Sequence, residues 1–115
     1  MNQRSRLCIV ALFVVASAPS ALAQDAGVQR GRVFAQNNCA GCHSIHRVGS
    51  SPLKVAPPFR TLHTKYPIED LAEAFAEGIS TGHPTMPEFV LDQGQIGDLL
   101  GFMKSLEVPA NRRKS

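Results

Sequence analysis

The sequence predicts a single all-α domain. Apolar residues recur at helical spacing in three segments, 25–38, 67–80 and 92–106. The stretches between them are broken by proline and glycine, and none alternates apolar and polar residues with period two for long. A chain of 115 residues has room for one small domain, and no internal repeat or low-complexity tract divides it.

Residues 1–23 read as an address. Arg4 and Arg6 make a positive start, "LCIVALFVVA" (7–16) is an apolar run too short to span a bilayer, and Ala21-Leu22-Ala23 is a small-x-small cleavage site. A retained membrane anchor is the competing reading. No other apolar run is long enough to cross a membrane. The expected division is 1–23 as a cleaved signal peptide, 24–108 as the domain, and 109–115 as a flexible basic tail. Cleavage after Ala23 leaves 92 residues and removes Cys8, so the mature cysteines are Cys39 and Cys42. Losing Arg4 and Arg6 takes Lys+Arg from 12 to 10 against nine Asp+Glu, a net charge of only +1. With no Trp, one Tyr and no basic patch interleaved with aromatics, nucleic acid is not an expected partner.

The first helix is expected over 25–38, with Asp25 placed to cap it and Val28, Gly31, Phe34 and Ala35 near helical spacing. Residues 44–66 read as irregular, marked by "GSSP" and "APPF". The second helix, 67–80, has Pro67 in its first turn, Glu69 and Asp70 at its positive end, and Ile68, Leu71, Ala72, Phe75 and Ile79 on its apolar face. Gly82, Pro84 and Pro87 make 81–89 a loop. The third helix, 92–106, is apolar at Ile96, Leu99, Leu100, Met103 and Leu106. Its Gly94, Gly97 and Gly101 weaken propensity, as glycines do where another element approaches closely.

The chemistry concentrates in "NNCAGCHSIH" (37–46). On a helical turn Cys39 and Cys42 are i and i+3, and His43 is i+4, so two sulfurs and an imidazole share one face. That is what thioether attachment of haem c with an imidazole ligand to its iron requires, and C-x-x-C-H is a haem attachment signature. A redox dithiol lacks the βαβ setting it needs. A zinc site on Cys39, Cys42, His43 and His46 would need the adjacent Cys42 and His43 both at tetrahedral positions. A disulfide would leave His43 unexplained.

A sixth iron ligand would come from "HPTMPEF" (83–89), where prolines hold Met86 in a stiff loop. His83 is the competing ligand, and Met86 packed on the haem edge is the plainer alternative. Met103 reads as helix core, and His46 and His63 as surface or loop histidines. In "APPF" (56–59), Pro57 offers a stiffly placed carbonyl to the second ring nitrogen of the axial histidine, and Phe59 a haem-packing ring. An ordinary turn remains the alternative.

Together these segments resemble the class I cytochromes c, small soluble proteins with one haem. "GRVFAQNNCAGCH" resembles their N-terminal helix and haem motif, "APPF" their proline loop, "TMPEF" their methionine loop and "IGDLLGFMKSL" their C-terminal helix. The resemblance covers nearly all of the chain after residue 23. It implies the small cytochrome c fold, in which the terminal helices cross at a glycine and an aromatic, here Gly31 and Phe102. Phe102 stands where a tyrosine is frequent, so that hydroxyl is missing. The implied function is one-electron transfer in the periplasm by a His43/Met86-ligated haem, serving as partners a donor dehydrogenase or cytochrome complex and an acceptor oxidase or reductase. Arg47, Lys54 and Lys65 would lie near the exposed haem edge, and the protein is expected to be a monomer and not an enzyme. A subunit docked to a dehydrogenase or oxidase, and a five-coordinate haem enzyme or sensor, are the alternatives.

Overall fold

Helix α1 (Ser20–Asn38) opens the part of the chain that the structure, a computed structural model, describes: residues 20–78 and 85–107. It begins earlier than expected, because the alanine-rich "SALAQDA" continues the helix upstream. Asp25 is therefore an interior residue and not the cap. Residues 22–26 are all exposed, and burial starts at Gly27.

A 3-10 helix (Phe59–Thr64) follows the long loop, and its Phe59 and Leu62 are buried. The segment 67–80 is not one helix. Pro67 is extended, a 3-10 turn (Ile68–Asp70) follows, and α2 runs only over Leu71–Glu77. Gly78 ends it with φ +102°, a left-handed conformation that glycine adopts without a Cβ penalty. Ile79 lies outside the described residues. Helix α3 (Gln93–Ser105) starts at Asp92, whose side chain accepts from the Gln95 N–H while the Gln95 side chain accepts from the Asp92 N–H. This reciprocal cap is the kind whose loss costs about 1 kcal/mol.

No strand occurs among the described residues, and the chain is all-α. The core is where α1 and α3 cross: Ala35 and Leu99 have no exposure, and Ile96, Leu100, Phe102, Met103 and Leu106 are buried around them. The close approach is made by Gly31. A Cβ there would stand 1.9 Å from the Asp98 carbonyl oxygen. The atoms nearest such a Cβ belong to the backbone of Asp98 and Leu99, one turn before Phe102 on the same helix. On α3, a Cβ at Gly97 would meet nothing, and one at Gly101 only the Val28 methyl at 3.8 Å. An Arg30–Asp98 ion pair, at 2.6 and 2.9 Å, spans the same crossing. The Lys104–Glu69 pair ties α3 to the 3-10 turn before α2.

Candidate functional site

Cys39 to His43 continue from α1 as one more turn. The His43 and Cys42 N–H groups donate to the Cys39 carbonyl at 2.9 and 3.1 Å, and the Cys39 N–H donates to Ala35 at 2.8 Å. The loop beyond is closed on itself by Leu53 N–H to the Cys42 carbonyl (3.1 Å) and Phe59 N–H to the Ser44 carbonyl (3.0 Å). Arg60 staples its interior, donating to Ser44 Oγ (3.2 Å) and to the carbonyls of His46 (3.2 Å) and Gly49 (2.7 Å). Nothing local in the sequence marks Arg60 for this, since its partners lie 11 to 16 residues away.

The closed loop delivers the Pro57 carbonyl 2.7 Å from His43 Nδ1. A carbonyl only accepts, so Nδ1 carries a proton, and in the neutral imidazole Nε2 then keeps its lone pair. The Phe59 ring, 4% exposed, lies 5.2 Å from the imidazole, centroid to centroid.

A partly open cavity of about 300 Å³ borders these groups. Cys39, Cys42, His43, Pro57 and Phe59 line it on one part, and Met86 with its neighbours Thr85 and Pro87 on another. The methionine loop is pinned at its return by the Leu91 N–H to the Phe75 carbonyl (2.8 Å), and Phe89 packs edge-on against Phe34 of α1 at 6.2 Å. Met86 is half-buried. Met103 is core, at 3% exposure, and it also reaches the cavity wall. His83 and Pro84 lie outside the described residues. His46 is exposed, but both His63 ring nitrogens are buried and lack a partner among the described residues, unlike a surface histidine. Of the three expected cations, Lys65 lines the cavity, Lys54 is exposed between the lining residues Leu53 and Val55, and Arg47 is engaged on the Ser105 carbonyl at 2.6 Å.

Burial, with a smaller push from Cys42, raises the Cys39 thiol to about 11. Among the described residues no three His, Cys, Asp or Glu side chains converge as a metal site.

Residues 28–107, which hold this whole arrangement, match the family described as cytochrome c. The chain belongs to the cytochrome c family. A cytochrome c-552 from Bradyrhizobium diazoefficiens is 32% identical over 100 residues, spanning 87% of this chain and 91% of that relative. No solved structure matches significantly. As a cytochrome c the chain carries covalent haem c and transfers electrons, acting on other redox centres and not as an enzyme. The cavity suits that group: its walls are mainly apolar, with Leu62, Phe75 and Phe89 among them, the two thiols stand on one turn, and an imidazole has its outer nitrogen already occupied. No helix among the described residues is long and apolar enough to cross a membrane.

Proposed function

We propose that this cytochrome c is an exported, periplasmic one-electron carrier whose iron is held by His43 and Met86. The observation that carries the reading is the Nδ1–Pro57 hydrogen bond, which leaves the lone pair of His43 Nε2 available to a metal while Met86 lines the same cavity. Haem c supplies a reversible one-electron couple. Cys39 and Cys42 hold it covalently, Pro57 fixes the tautomer and angle of His43, and Phe59 packs beside the imidazole. A thioether from Met86 favours the reduced iron and raises the potential, and the apolar walls act in the same sense by penalising the extra ferric charge.

Met86 is preferred to Met103 because Met86 lines the cavity without being part of the packed core, whereas Met103 belongs to the α3 core. If His43 and Met86 both held the iron, no position would be left for small ligands, and the half-buried turn of Cys39 and Cys42 would be where a redox partner approaches. The partners are donor and acceptor redox proteins met by a monomer. Export rests on the layout of residues 1–23 and on the exposure of residues 22–26, which lets cleavage after Ala23 spare the packed face of α1.

The test is spectroscopic. The ferric protein is expected to show the weak thioether-to-iron charge-transfer band at the red end of the spectrum. Met86→Ala removes that band, opens the reduced iron to carbon monoxide and lowers the potential, while Met103→Leu and His83→Ala leave all three unchanged. Opening of the iron by His83→Ala instead would mean bis-histidine ligation.

A further inference from the structure

We propose that Lys65 and Tyr66 form the seat of the two haem carboxylates, and that the Lys65 charge helps set the reduction potential. This rests on haem occupying the cavity beside Cys39 and His43. Haem carries two propionate side chains, and carboxylates cannot enter an apolar wall without partners. They must therefore leave the cavity where it becomes polar.

The 3-10 helix Phe59–Thr64 identifies that place. With three residues per turn, side chains at i and i+3 eclipse. Phe59, Leu62 and Lys65 fall in one column and all three line the cavity. The column passes from buried Phe59 (4%) and Leu62 (6%) to exposed Lys65, so it runs from interior to rim. The turn is fixed by the Lys65 N–H donating to the Leu62 carbonyl at 2.9 Å. Tyr66 follows at once, lines the same cavity and is 37% exposed, with its hydroxyl able to donate at the water boundary.

The other polar lining residues are placed less well. Asn38 gives its amide to the Phe34 carbonyl at 2.9 Å. It also adjoins Cys39, hence the thioether side of the macrocycle, whereas the propionates sit on the other two pyrrole rings. Thr85 adjoins Met86 and carries no charge. Lys65 is the only charged lining residue among those described, and neither ion pair of the described residues uses it. A cation beside a propionate offsets a negative charge near the iron, so removing it stabilises the ferric state and lowers the potential.

The experiment uses the intact holoprotein. Potentials are measured against a fixed one-electron reference at low salt, and redox-difference infrared spectra are recorded with the propionates isotopically labelled. Lys65→Gln is expected to shift the equilibrium toward the oxidised protein by about threefold, the scale of a solvent-screened ion pair. Lys65→Arg restores it, and Lys65→Gln and Tyr66→Phe each move a labelled carboxylate band. Lys54→Gln, altering an exposed cation next to the cavity wall but not in it, moves no carboxylate band and shifts the potential less than Lys65→Gln does. Unmoved carboxylate bands in both Lys65→Gln and Tyr66→Phe overturn the inference, as does an equal potential shift in Lys54→Gln. The ferric charge-transfer band separates the two ideas: if it persists in every variant while the carboxylate bands stay still, Met86 ligation stands and only the carboxylate seat falls.

Discussion

Gly31 lies against Asp98 so closely that a Cβ on the first would stand 1.9 Å from the carbonyl oxygen of the second. The obstacle is backbone, which cannot rotate away, so any side chain at 31 forces α1 and α3 apart. Gly31→Val is expected to destabilise the protein by about 1–3 kcal/mol, the usual size of an overpacking penalty, read as a lower denaturation midpoint. Gly97→Ala is the matched control: its Cβ meets open space, and helix propensity predicts a gain of up to about 1 kcal/mol. Equal behaviour of the two variants would place the crossing elsewhere.

The i, i+3, i+4 turn of Cys39, Cys42 and His43 makes haem retention a covalent matter. Cys39→Ala combined with Cys42→Ala should leave no haem on the polypeptide after acid-acetone extraction, whereas the wild type keeps all of it. Either outcome is visible as absorbance in the protein pellet.

Mass spectrometry of the protein recovered from the periplasm should find a chain starting at Gln24 carrying one haem. A mature chain that retains Cys8 would show that residues 1–23 stay in place as an anchor.

The Glu69 carboxyl is held below its usual range, chiefly by its hydrogen bond from Lys104 and then by a backbone bond. A depressed folded value means stabilisation present above the unfolded value, about pH 4.3, and lost as pH falls through the folded one. Lys104→Met should therefore lower the thermal midpoint by a constant small amount at neutral pH, the gap closing on acidification below about pH 4. Both partners are largely exposed, so raising the salt should shrink the gap too. A gap that widens on acidification would contradict the assignment.

The helical content was legible in residue spacing. The apolar positions read from α3, Ile96 through Leu106, are all buried, because a helix with one packed face repeats every 3.6 residues whatever it packs on. Propensity misjudged the ends. Asp25 looked like a cap because the sequence alone cannot weigh a cap against an alanine-rich extension. Pro67 and Gly78 trimmed the second helix more tightly than the apolar pattern suggested. The C-x-x-C-H turn was legible because its chemistry is local. Arg60 and the Gly31–Asp98 contact were not, since each depends on partners that only the fold brings near.

The position of α1 and α3 at opposite ends of the chain also has a temporal meaning. Ala35 and Leu99 are fully buried in one core although they stand more than half the sequence apart, and closing so long a loop precedes any reward from burial. A growing chain that has not yet delivered residue 99 has no partner for α1. Over that interval Cys39 and Cys42 would be reachable for haem, before the globule closes. Folding that must wait for the last helix thus keeps open the period in which the cofactor can be joined.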